Sequence, residues 1–91
     1  MDRNQPVEIL KALADETRLD IVRKIARSDG STPGCELAGA CKHQLSQPAM
    51  SHHINRLVET GVLGEEKQGT KKLYFLRRDT LDHIGIDVTK L

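Results

Sequence analysis

The sequence predicts one mainly α-helical domain with a β-hairpin near its end, about five helices and two strands in 91 residues. Three observations carry this. Apolar residues recur at three- and four-residue spacing from Val7 to Val58, the period of helices with one buried stripe. After Gly61 the pattern changes to short runs rich in β-formers around a glycine-containing tip. A chain of this length without internal repeats has material for one modest core, so positions 1–91 form a single domain.

The elements follow in order. Pro6 suits a first helical turn, and Val7, Ile9, Leu10, Leu13 and Ala14 form an apolar stripe, which predicts a helix over 6–14. Asp15 is an N-cap for a second helix, whose Leu19, Val22, Ile25 and Ala26 repeat in register as far as Arg27. Turn formers from Ser28 to Gly34 predict a loop. Leu37, Ala40 and Cys41 give a short third helix from Cys35 to about Lys42. Ser46 caps a fourth, with Pro48 in its first turn and Met50, Ile54, Leu57 and Val58 facing inward, stopped at Gly61. Only His43-Gln44-Leu45-Ser46 joins the third and fourth helices, the length of a helix-turn-helix joint. Val62-Leu63 opens a strand, Gln68-Gly69-Thr70 forms the tip, and residues 72–76 form the return strand. Asp79 caps a last short helix through Ile84. Helix-turn-helix plus hairpin makes a winged helix-turn-helix.

With Met50, Ile54, Leu57 and Val58 inward, the outer side of the fourth helix carries Pro48, Ser51, His52, Asn55, Arg56 and Glu59. Ser46, Gln47, Ser51, His52 and Asn55 supply short donors and acceptors suited to base edges in a major groove, and Arg56 suits a phosphate. An ordinary solvated helix face would look similar. The hairpin adds a second feature, because Lys67, Thr70, Lys71 and Lys72 surround its tip and the stretch from Lys67 to Arg78 holds no acidic residue. Together they imply contact with double-stranded DNA. The net charge of +1 alone would not, since positions 1–30 balance six Lys/Arg against six Asp/Glu.

Composition excludes other classes. Aromatic residues are 2% of the chain, too few to stack single-stranded bases. No apolar run reaches the roughly 18 residues that span a bilayer, and the first residues lead into a helix, so a cytoplasmic location is expected. No nucleophile motif, phosphate loop or paired-carboxylate spacing surrounds the cysteines and histidines, so an enzyme is not expected.

Leu13-Ala14-Asp15-Glu16-Thr17-Arg18-Leu19-Asp20-Ile21-Val22, Leu45 to Leu57 with its Ser-Gln-Pro-x-x-Ser-His-His run, and Gly69 to Leu76 resemble the ArsR/SmtB family of bacterial regulators over Val7 to Leu76. The resemblance implies a homodimer that represses transcription at a palindromic operator and releases it on binding an effector such as a metal ion. It places dimerisation in the first and last helices, here 1–14 and 79–91, with Ile9, Leu10, Leu13 and Leu81 to Ile86 as contacts.

The chain departs from that pattern where metal-sensing members carry Cys-x-Cys in the third helix. Cys35 and Cys41 are six residues apart, which puts their thiols about 120° apart around a helix and roughly 9 Å along it, too far to chelate one ion. Cys41 shares a face with Leu37 and reads as buried; Cys35, at a helix start, is the candidate redox thiol. Asp82 and His83 are adjacent and point apart, so no metal site is expected on the last helix, and His53 is expected to be partly buried. No cofactor is expected and the effector stays open. A thiol-redox or metal sensor working through Cys35 and Cys41, or a winged helix used for protein contact, are the alternatives.

Overall fold

The computed structural model describes residues 5–28, 30–37 and 46–91. In chain order these form α1 (Gln5–Leu13), α2 (Glu16–Arg27), β1 (Thr32–Pro33), α3 (Gly34–Leu37), α4 (Gln47–Glu59), β2 (Leu63–Gln68), β3 (Lys71–Leu76), α5 (Arg78–His83) and a 3₁₀ turn (Val88–Lys90). The mainly α chain with a hairpin wing is therefore as the sequence predicts. Cys41 and the joint residues His43, Gln44 and Leu45 lie outside the described residues.

Local chemistry explains the boundaries. The Asp15 carboxylate accepts from the Arg18 backbone N–H at 3.0 Å and starts α2. At the far end of that helix the Ser28 N–H and hydroxyl both return to the Ile25 carbonyl, at 3.1 and 2.7 Å. The Ser46 hydroxyl accepts from the Ala49 N–H at 3.3 Å to start α4. That helix stops at Gly61, whose φ of +84° lets its N–H reach the Val58 carbonyl at 3.1 Å while the Val62 N–H reaches Leu57 at 3.0 Å.

Three expectations need correction. The loop from Ser28 to Gly34 contains a strand, because Thr32 and Pro33 pair antiparallel with Tyr74 and Leu73. Two residues cannot display a period, and a proline with no N–H is tolerated at a sheet edge. The stripe on α1 divides: Ile9, Ala12 and Leu13 are buried, whereas Val7 and Leu10 are 49% and 54% exposed on another face. Asp79 does not cap α5, since the N-cap position is Arg77, which makes no side-chain cap bond; Asp79 instead sits in the first turn, where its charge suits the helix dipole.

The sheet has order β1-β3-β2. In the hairpin Leu63 faces Leu76, Gly64 faces Phe75, and the ladder runs to Gln68 opposite Lys71. The Phe75 ring occupies the space over Gly64 that any side chain there would need. One core joins helices and sheet: Ile9 and Leu13 from α1, Ile21, Val22 and Ile25 from α2, Leu37, Met50, Ile54 and Leu57, then Val62, Leu63, Tyr74 and Leu81. The inner face of α4 is thereby fixed, and so is its outer one.

Candidate nucleic-acid interface

On α4, Met50, Ile54 and Leu57 are buried and Val58 is half-buried, leaving Ser51, His52 and Asn55 exposed opposite the core. Ser51 and Asn55 are one turn apart and therefore stacked, with His52 beside them. Ser46 is exposed just ahead of them; its oxygen is engaged as the cap, which leaves the hydroxyl proton free to donate. Gln47 occupies the first position of the helix, but its side chain, like that of Cys35 in the first turn of α3, lies outside the described set.

Arg56 differs from these. Its guanidinium pairs with the Glu8 carboxylate of α1 at 2.6 Å and approaches Glu59 at 3.9 Å. It is a bridge between helices before it is a phosphate ligand. A second bridge lies beside it. Arg18 of α2 donates from Nε to the Ala12 carbonyl at 2.6 Å and from Nη2 to the Lys11 carbonyl at 3.4 Å, which satisfies open carbonyls in the last turn of α1. Its Nη1 stands 3.3 Å from His53 Nδ1 on half-buried His53. Arg18 can only donate, so a hydrogen bond here requires Nδ1 as the acceptor. The backbone N–H of Arg18 holds the Asp15 carboxyl below its ordinary pKa, with burial opposing and the Arg18 charge helping. Neither bridge was visible in the sequence, because Glu8 and Arg56 are 48 positions apart and Arg18 and His53 are 35.

The wing carries its charge at the tip. Lys67, Thr70, Lys71 and Lys72 are all exposed around Gly69. Register sorts them: Lys67 faces Lys72, on the same side of the hairpin as Leu63 and Tyr74, while Lys71 lies on the side of Leu73 and Phe75. Facing lysines repel one another, and Lys72 is partly offset by Glu65 at 3.6 Å. Tyr74, buried beneath this face, has its phenol pKa raised by burial and by the Glu65 charge. An uncharged, donor-rich helix surface and a lysine-bearing hairpin tip thus project from one small core.

Residues 15–63, which include α2, α4 and the first residue of β2, match the model of the bacterial regulatory proteins of the arsR family. The chain belongs to the ArsR family. The arsenical resistance operon repressor of Staphylococcus xylosus is 39% identical over 85% of this chain and 70% of its own length. Among solved structures, an ArsR family transcriptional regulator superposes with a TM-score of 0.79 at 25% identity, covering 92% of this chain and 82% of that one. HlyU from Vibrio cholerae does so with a TM-score of 0.72 at 29% identity, covering 92% and 90%. In this ArsR chain no three His, Cys, Asp or Glu among the described residues gather to hold a metal ion. No helix there is long and apolar enough to cross a membrane.

Proposed function

We propose that the chain is a cytoplasmic homodimeric repressor that binds a palindromic operator in duplex DNA. The observation that carries this reading is the pairing of exposed Ser51, His52 and Asn55 on α4 with exposed Lys67, Lys71 and Lys72 on the wing. Short polar side chains on a helix suit base edges, and lysines on a projecting tip suit flanking phosphates. Ser46, Gln47 and Thr70 complete the DNA-facing set. Arg56 joins it only where it leaves Glu8. The family relative from Staphylococcus xylosus is named as an operon repressor, which supports the same direction of control.

Segments 1–14 and 79–91 supply the dimer contact. In support, Val7 and Leu10 present large apolar side chains to solvent on α1, and a second copy would cover them. The test is selection of bound duplexes from a random pool, combined with sedimentation of the complex. The expected result is an inverted repeat with half-sites about one helical turn, roughly 34 Å, apart or wider, held by two chains. Recovery of unselected sequences, or a one-chain complex at binding concentration, rejects the reading.

A further inference from the structure

A cleft of about 260 Å³ lies between the C-terminal half of α2, the start of α5 and the 3₁₀ turn, and Arg23, Ala26, Arg27, Arg78, Val88 and Thr89 line it. Three arginines line this one space. Arg23 and Arg27 are one turn apart on α2 and so lie on the same face. Compensating negative charge is scarce: among the described residues Arg23 has Asp20 at 3.4 Å, Arg78 donates to the Ala26 carbonyl at 3.5 Å, and Arg27 has no partner. On the other side of Arg78, Asp82 and Asp87 line a separate pocket, and the Asp87 carboxylate is engaged by the Thr89 N–H and hydroxyl at 3.0 and 2.6 Å.

Gathered like charges repel unless an anion joins them, and guanidinium forks match the paired oxygens of carboxylate or phosphate. Ala26 and Val88 add apolar wall. At about 30 Å³ per water-sized group, the volume takes roughly nine heavy atoms, the size of an aryl carboxylate. The phosphates of operator DNA are poor candidates. Arg78 begins α5 just beyond the foot of the hairpin, whereas Lys71 opens β3 at the tip, about 17 Å from the strand's other end at Leu76.

We propose that this cleft binds a small organic anion, and that occupancy fastens the 3₁₀ turn and α5 to α2, altering the dimer contact and hence operator affinity. The coupling rests on the DNA-binding reading; the binding does not. The test is backbone and arginine-side-chain NMR of the DNA-free chain titrated with benzoate, phenyl phosphate, chloride and benzylamine. Saturable shifts are expected at residues 23–27, 78 and 88–89 with benzoate or phenyl phosphate, and whichever saturates at lower concentration names carboxylate or phosphate as the group. R27Q, which removes an exposed side chain with no partner among the described residues, should weaken binding about tenfold. K11Q, which removes the same charge elsewhere, should not. Shifts no greater than those with chloride, shifts centred on the wing tip, or unchanged binding in R27Q would overturn the site. Anion at about its wild-type Kd should change operator affinity in wild type and much less in R27Q; unchanged affinity in wild type at saturation overturns the coupling while leaving the site intact.

Discussion

The Arg56 guanidinium on α4 stands 2.6 Å from the Glu8 carboxylate on α1, so the helix proposed to meet DNA and the helix proposed to meet a second chain share an ion pair. Both side chains keep more than a third of their surface exposed, 36% and 40%, which limits the pair to at most about 1 kcal/mol. Glu8→Gln should therefore lower the melting temperature by only a few degrees. Its larger effect should be on DNA: a released Arg56 adds a phosphate contact, steepening the slope of log K against log salt by about 0.9. An unchanged slope in anisotropy titrations would make Arg56 a bridge alone.

Lys71 and Gln47 should fail in different ways. Lys71→Ala removes a tip charge and should weaken binding to operator and scrambled duplex alike, with a slope shallower by about 0.9. Gln47→Ala should keep the slope and lose about 1 to 3 kcal/mol of discrimination at one base pair. Parallel salt titrations on the two duplexes separate these outcomes, and equal loss of discrimination in both variants would contradict the division of labour.

The cap at Asp15 links stability to pH. Its carboxyl is held below its ordinary value by the Arg18 N–H, so its contribution is complete above the unfolded value and fades as pH falls through the lower folded one. Asp15→Ala should cost about 1 kcal/mol at neutral pH. Urea melts should show the gap between wild type and variant narrowing in acid, and a gap that stays constant there would remove charge from the explanation.

The ring of Phe75 over Gly64 makes that glycine intolerant of a side chain. Gly64→Ala should destabilise by about 1 to 3 kcal/mol through overpacking. Adding Phe75→Leu, which frees space at the cross-strand position, should recover part of the loss. Additive damage in the double variant, read by thermal melting, would mean the two residues do not compete for that space.

What the sequence disclosed depended on range. Asp15 and Ser46 announce α2 and α4 because a cap acts within three residues, and the positive φ at Gly61 stops α4 by a motif equally local. The tip around Gly69 was legible for the same reason. β1 was not, since Thr32 and Pro33 form a strand only because Tyr74 and Leu73 are brought beside them. The division of α1 into a buried face and the exposed Val7 and Leu10 also depends on what packs against the helix. In the candidate interface, residue chemistry pointed to Ser51, His52 and Asn55, but it could not reveal that Arg56 meets Glu8 or that Arg18 reaches His53. Those contacts exist only in the folded chain.

The two borders of the sheet restrict how copies of the chain can meet. On one border β1 is two residues long and ends in Pro33, which has no N–H to offer an incoming strand. On the other, β2 runs through exposed Glu65, Glu66 and Lys67, whose charges resist being zipped against a neighbour. Strand-by-strand growth into filaments is discouraged at both borders. That leaves room for the helical contact proposed above, in which a closed pair would end the assembly instead of propagating it.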